Sequence, residues 1–483
     1  MINSMRLGRQ RCAKGVLAAV VLLASSFAAT PAFADEPREL IHTQTLANGL
    51  EVIVIPNPAV PIVTVELAVK NGAFTETPEL NGLSHLYEHM FFKGNAVITS
   101  QEAYLKRMRE LGIVFNGTTS DERVNYFFTL PADNLQKGLV FMYDATVTPK
   151  FEAAEFEKEK QVVLGEVDRN ESSPYYWLGQ ALNQKMWHAY PERKDALGTR
   201  KAIQEATIAQ METMKKTYYV PNNSVIVIAG DVDREEAFKQ VKAVFGKWKR
   251  AEDPFKKNPV PEHPPLKGNS YVVVEQNVQV PLVRFSWHGP SVTRDAKATY
   301  AADVLSYVLS QPTSRFYKTL VDSGITLGAG LSYYTQRYTG PISLAAQMQP
   351  EKFEEAVRAL LLEVQKFADP DYFTDAQLEN AKTILAVQDV YSREETSSLS
   401  HTVSFWWAVA GLDYYYDYIG NLRQVSREDI ARYAQQYILG KPLVAGLLLS
   451  PEIGEQLGMT PETFEALVEK VLAEIATQQQ AQR

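Results

Sequence analysis

Proline density divides this chain in two. Pro254, Pro259, Pro261, Pro264 and Pro265 all fall within residues 251–267. Neither a helix nor a strand runs through so many residues that lack a backbone N–H, so the stretch reads as a stiff connection. The segments on either side share a layout. The first opens with strand-like alternation at 50–55 and 62–67, passes through helical stretches to a strand at 125–130, and closes on an apolar strand at 224–230 and an amphipathic helix around 235–245. The second repeats the order, with strands at 271–274 and 282–287, a helix near 299–309 and a strand at 443–449. After Pro461 a short amphipathic helix carrying Phe464, Leu467, Val468, Val471 and Leu472 precedes a glutamine-rich tail expected to fray. The expected fold is α+β, with two similar α/β-sandwich halves, each an antiparallel-rich sheet covered by helices. They span 35–250 and 269–456, joined by a linker at 251–268 and followed by a helix and tail over 457–483.

Residues 1–34 stand apart from this scheme. Arg6, Arg9, Arg11 and Lys14 form a basic start, a charge-free apolar run extends from Gly15 to Ala29, and Ala32-Phe33-Ala34 has a small-x-small form. This pattern reads as a secretory signal peptide cleaved after Ala34, the apolar core being short for a membrane anchor. No other stretch is long and apolar enough to span a bilayer, so the mature chain is expected to be soluble and periplasmic or secreted. The one cysteine, Cys12, lies in the leader. An exported chain without disulfides must be held by its core, and its length suffices for more than one domain. Setting aside the four basic leader residues takes the formal charge from −8 to −12, with 45 Lys and Arg against 57 Asp and Glu. That balance argues against nucleic-acid binding and tolerates basic peptides.

The sharpest chemical signal is His85-Leu86-Tyr87-Glu88-His89. Residues four apart lie on one helical face, so His85 and His89 can present two imidazoles to one metal ion. Glu88 sits one turn after His85, placed to reach a metal-bound water without being a ligand. Leu83, Leu86 and Met90 can anchor the helix, and Asn81-Gly82 and Gly94-Asn95 supply start and stop signals. A catalytic zinc site usually has three protein ligands and one open position. The third is expected to be a carboxylate, and a glutamate-rich helix over 151–171 offers Glu152, Glu155, Glu157, Glu159, Glu166 and Glu171. Spacing alone does not choose among them.

The inverted motif His-x-x-Glu-His, with a glutamate 77 positions after the second histidine, resembles the pitrilysin family of zinc metallopeptidases. That family includes insulin-degrading enzyme and the mitochondrial processing peptidase. The resemblance implies Glu166 as third ligand to Zn2+ and Glu159 as a carboxylate orienting the ligands, with Glu88 as catalytic base. It extends to Asn48-Gly49-Leu50, the run from Gly82 to Gly94, Tyr218-Tyr219-Val220-Pro221-Asn222-Asn223 and Ala229-Gly230-Asp231. Asn116, in Phe115-Asn116-Gly117-Thr118, is similar to an asparagine that contacts the peptide beside the metal, although it can equally cap a turn. The implied activity is a zinc endopeptidase acting on peptides or small unfolded proteins, in the half-size form similar to bacterial processing-type peptidases and the catalytic subunit of the mitochondrial enzyme.

The second half departs from an active pattern. It has no zinc motif, and Val321 and Leu327 stand where active members carry an arginine and a tyrosine that hold the substrate. Either Arg315, Tyr333, Tyr334 or Arg337 substitutes locally, or a homologous partner subunit supplies the pair. The second reading is preferred and implies a heterodimer. The alternatives are a self-sufficient homodimer and a non-catalytic structural subunit, against which the intact motif argues. The aromatic runs at 405–407 and 414–416 are expected to pack in the core.

Overall fold

The computed structural model describes residues 37–481; the expected leader and its cleavage site lie outside them. Two sheets carry the fold. β1 (His42–Thr45), β2 (Glu51–Pro56), β3 (Ile62–Val69), β4 (Val114–Thr119), β5 (Val124–Pro131) and β6 (Ser224–Gly230) form the first, in the order β1-β2-β6-β3-β5-β4. β7 (Ser270–Glu275), β8 (Leu282–His288), β9 (Gly328–Tyr333), β10 (Pro341–Gln347) and β11 (Val444–Leu449) form the second, in the order β7-β11-β8-β10-β9.

Without β1, the two orders superpose. Each sheet has one parallel pair, β2 with β6 and β7 with β11, and antiparallel pairing elsewhere. In each, the last strand of the half inserts beside the first, which makes it central and fully buried. That is why 224–230 and 444–449 read as continuous apolar runs rather than alternating ones. β4 and β9 occupy matching free edges.

Six helices matter for the site. They are α1 (Leu83–Phe91), α2 (Ala153–Glu171), α3 (Pro174–Met186), α4 (Ala296–Ser310), α5 (Thr396–Val409) and α6 (Pro461–Ala481). One face of each sheet packs on helices of its own half. The other face is covered reciprocally. Leu399, Val403 and Trp407 of α5 pack on Ile53, Val225 and Val227 of the first sheet. Leu178, Leu182 and Met186 of α3 pack on Leu282, Val444 and Leu448 of the second. The halves therefore share two cores rather than hanging from a linker.

The aromatic runs pack as expected. Trp407 and Tyr415 lie in the shared core, and Phe405, Trp406 and Tyr414 pack on the core of the second half. The C-terminus differs from expectation. α6 is 21 residues long and runs through the glutamines, where the sequence suggests a short helix and a frayed tail. Glutamine is a good helix former, and Phe464, Val468, Val471 and Ile475 anchor the helix against the second sheet. Among the described residues no helix is long and apolar enough to cross a membrane.

Candidate metal centre

α1 divides cleanly into two faces. Leu83, Leu86, Tyr87, Met90 and Phe91 are buried, with Tyr87 stacked on Tyr219 at 4.0 Å and Phe91 on Tyr126 at 3.8 Å between ring centroids. Tyr219, in the run Tyr218-Tyr219-Val220-Pro221, thus braces the helix from behind. The opposite stripe holds His85, Glu88 and His89, each half-buried.

These side chains meet α2. The Nε2 atoms of His85 and His89 are 3.2 Å apart, and Glu166 places its Oε2 3.4 Å from the first and its Oε1 3.8 Å from the second. Two ligands bound tetrahedrally at zinc distances lie about 3.3 Å apart, so the three donors fit one such ion. His89 is also held in the tautomer a metal requires. Its Nδ1 donates to Glu159 Oε1 at 2.8 Å, which leaves the Nε2 lone pair facing Glu166. Lys93 Nζ sits 2.6 Å from the other oxygen of Glu159. Glu152, Glu155, Glu157 and Glu171, which spacing leaves open as ligands, pair instead with Lys150, Lys158, Lys160 and Arg200.

The electrostatics favour a cation here. Burial and the neighbouring His89 push His85 down to about 4, against a small opposing pull from the Leu197 carbonyl. Burial lowers His89 too, but Glu159, Glu166 and Glu88 outweigh it and leave its pKa raised. Burial would raise Glu159, yet His89 and Lys93 hold it below the usual carboxylate range. Burial lifts Glu88 above that range, only partly offset by a hydrogen bond from Thr119 and the nearby His89. A carboxylate so raised is better suited to accept and return a proton near neutral pH.

Three supports of the site have no motif in the sequence. Thr119 Oγ1 donates to Glu88 Oε2 at 2.7 Å, fixing the carboxylate from the end of β4. Gly117, two residues earlier on the same face, makes room for it. A Cβ there would stand 2.8 Å from Glu88 Cγ and 2.9 Å from its Oε1. The third is Glu76, a carboxylate only 1% exposed. It accepts from the backbone N–H of Gly82 and of Ser84, both at 2.7 Å, and so caps the N-terminus of α1. Gly82 itself is left-handed (φ 92°) and faces Gly198 so closely that a Cβ would meet Gly198 Cα at 2.8 Å. Only the pattern of an acid ahead of Asn81-Gly82 hints at this cap.

The remaining expected residues are scattered. Phe115 and Asn116 lie on β4, whose outer edge has no partner strand among the described residues. Phe115 packs beside Phe92, with ring centroids 5.0 Å apart, and the Asn116 Oδ1 accepts from its neighbour's N–H at 3.0 Å. Val321 packs against the second core and Leu327 is exposed. Of the local substitutes, Arg315 lies 3.6 Å from Glu363, the Tyr333 hydroxyl donates to the Pro290 carbonyl at 2.9 Å, and Arg337 reaches the Ala408 carbonyl at 3.4 Å. Tyr334 is half exposed and lies near Phe405.

Known proteins match this chain over most of its length. The model of the insulinase family (peptidase family M16) matches residues 51–200, and that of the peptidase M16 inactive domain matches 205–385. The zinc protease PqqE of Helicobacter pylori is 24% identical over 402 residues, covering 81% of this chain and 89% of that protein. A probable mitochondrial-processing peptidase subunit beta of Arabidopsis thaliana is 28% identical over 242 residues, half of this chain and 45% of that one. Among solved structures, a protease from Helicobacter pylori has a TM-score of 0.76 at 22% identity, covering 85% of this chain and 99% of its own. The periplasmic protease PqqL from Escherichia coli has a TM-score of 0.73 at 17% identity, covering 90% of this chain and half of its own. With two matched models of one family in tandem, the fold of its members and a cluster suited to zinc, the chain belongs to peptidase family M16, in its half-size form.

Proposed function

We propose that this chain is a zinc-dependent endopeptidase in which His85, His89 and Glu166 hold the metal and Glu88 is the base. The observation that carries the reading is the convergence of two imidazole nitrogens from α1 and a carboxylate oxygen from α2 within 4.8 Å of one another, with the raised carboxylate of Glu88 between the two histidines on α1. When bound, zinc supplies Lewis-acid polarisation of a carbonyl and lowers the pKa of water. Glu88 is anchored by Thr119 through Oε2, which leaves Oε1 to take the proton of the attacking water and return it to the leaving nitrogen. Glu159 orients His89. Phe115 and Asn116 would bind an extended peptide along the open edge of β4, through main-chain pairing that reads backbone more than side chains.

Glu88→Gln should keep its zinc and lose peptide cleavage, whereas Glu166→Ala should lose the zinc itself. Wild-type turnover by Glu88→Gln overturns the assignment of the base, and a full metal complement in Glu166→Ala moves the third ligand elsewhere.

We further infer that the chain works in the periplasm, on peptides or small unfolded proteins, as the zinc-bearing subunit of a dimer. Export is supported by the leader pattern and by the periplasmic location of the solved relative PqqL. The dimer is supported by Val321 and Leu327, which offer no side-chain hydrogen bond, and by the internal engagement of Arg315, Tyr333 and Arg337. The purified chain should cleave a quenched peptide weakly and gain activity with a related chain lacking His-x-x-Glu-His. Full activity of the chain alone overturns the heterodimer.

A further inference from the structure

One arginine between the halves has no ion pair among the described residues, although the Asp195 carboxylate, which accepts from Gln180, lines the same cavity. A cavity of about 420 Å³ lies between α3 and the part of the second sheet that α3 leaves bare. Arg284 and Ser286 of β8 and Ser343 of β10 form its floor, and Gln180 and Asn183 of α3 its roof. Side chains alternate along β8, so Leu282, Arg284, Ser286 and His288 face the same way. Leu282 packs beneath Leu178 and Leu182, and His288 Nε2 lies 2.7 Å from the Met186 carbonyl. Arg284, between them, opens into the cavity.

The other polar groups of the wall are already engaged. Asn170 donates to the Glu166 carbonyl at 2.8 Å, Gln180 to Asp195 at 3.0 Å, Asn183 to the Pro191 carbonyl at 3.0 Å, and Lys194 to the Thr339 carbonyl at 2.9 Å. Ser286 and Ser343 bond each other at 3.3 Å. Arg284 alone has no hydrogen bond or ion pair among the described residues, and its Nε is buried without a partner. Burial depresses its pKa and no carboxylate opposes that shift. A guanidinium is a rigid fork of donors matched to a carboxylate, and leaving a buried donor unpaired is costly. The cavity also adjoins the metal centre, through Asn170 behind Glu166 and through Leu197, whose carbonyl acts on His85.

We propose that Arg284 makes this cavity a binding site for a carboxylate of the peptide being cleaved. The proposal rests on the peptidase reading, and its ligand is either a C-terminal carboxylate or an acidic side chain. The cavity would then select carboxylate-bearing peptides although the chain as a whole is acidic.

The test is equilibrium binding to the zinc-loaded Glu88→Gln chain. One labelled peptide sequence is used in three forms: the free acid, the C-terminal amide, and the amide with one internal glutamate. At least one carboxylate form should bind about tenfold more tightly than the plain amide, and which one it is identifies the source. Arg284→Gln should erase that difference and leave the amide's affinity within about twofold, the sign of an intact fold. Arg284→Lys, which keeps the charge and loses the fork, should restore part of it. Equal binding of the three forms, including no measurable binding of any, overturns the proposal, as does a preference that survives Arg284→Gln. Failure of the peptidase reading shows separately: the wild-type chain would cleave nothing while the carboxylate preference remained.

Discussion

α1 and α4 occupy corresponding places in the two halves, α1 between β3 and the edge strand β4, α4 between β8 and the edge strand β9. Both bury an apolar face and leave a half-buried stripe at i, i+3 and i+4. In α1 the stripe is His85, Glu88 and His89; in α4 it is Asp303, Ser306 and Tyr307. The second set is spent internally. Asp303 accepts from the Tyr418 hydroxyl at 2.7 Å, Ser306 bonds the Ala302 carbonyl at 2.9 Å, and Tyr307 bonds Gln388. In the first set, the two imidazoles and the Glu166 carboxylate converge on one another, with their donor atoms within 4.8 Å. A duplicated scaffold can therefore carry chemistry in one copy and packing in the other, decided by three positions on one helix.

The largest expected effect tests the edge strands. Gly117 on β4 and Gly330 on β9 occupy matching free edges, but only the first is crowded. Gly117→Ala would drive a methyl group into Glu88, and kcat should fall about a hundredfold, with zinc retained and KM little changed. Nothing lies within 4 Å of a Cβ at Gly330, so Gly330→Ala should leave activity within about twofold. Peptidase kinetics on the two variants checks both. Equal responses would mean that contact between β4 and Glu88 does not govern turnover.

A smaller effect is expected at the helix caps. Glu76 satisfies two N–H groups at the start of α1 with its two oxygens, whereas Asp295 at the start of α4 accepts from one, that of Ala298, and turns its other oxygen to the Tyr437 hydroxyl at 3.0 Å and Arg432 at 3.5 Å. Glu76→Gln turns an NH2 group toward one of those donors. It should cost about 1–3 kcal/mol of stability and about tenfold in kcat, by loosening the helix that carries His85. Asp295→Asn keeps a good cap, exchanges its acceptor for Tyr437 and loses the ion pair with the partly exposed Arg432, so it should cost about 1 kcal/mol or less and leave kcat unchanged. Thermal melting with kinetics separates the two. Undiminished kcat in a destabilised Glu76→Gln would reduce Glu76 to a purely structural cap.

Much of this contrast is legible in the chain. Period-two alternation locates most strands, and the i, i+4 spacing of His85 and His89 is enough to mark the face of α1 that converges on Glu166. What stays hidden depends on contacts distant in sequence. Six glutamates between 152 and 171 look alike until Glu166 meets His85 and Glu159 meets His89 from across the chain. An amphipathic stretch such as 396–409 shows that one side is apolar but not that it will cover the other half's sheet. Gly117 and Thr119 carry no periodic signal because each acts on Glu88, far along the chain, and Glu76 carries none because it reaches the start of α1 through an irregular turn. The glutamine tail misleads for the opposite reason, since polar composition hides a good local helix propensity anchored by Ile475.

The smallest expected effect is the part of the pH dependence of stability that the quiet half contributes. Burial pushes Asp303 up to about 7, only partly relieved by the Tyr418 hydroxyl, against an unfolded value of about 3.9. The folded state therefore binds the proton more tightly than the unfolded state does. That contribution is fully present below the unfolded value and is lost as the pH rises through about 7, where it levels off. Asp303→Asn cannot ionise, so its stability should fall less than that of the wild type between about pH 4 and 7, as read by denaturant melts across the range. Glu76 is likewise pushed up to about 7 by burial, against opposing hydrogen bonds from Ser84, Gly82 and Asn81, so the first half contributes a slope of the same sign. The two variants differ in what else they move. Asp303→Asn should flatten the stability profile without altering peptide cleavage, whereas Glu76→Gln should alter both. A change in kcat for Asp303→Asn would break the division between a chemical half and a packing half.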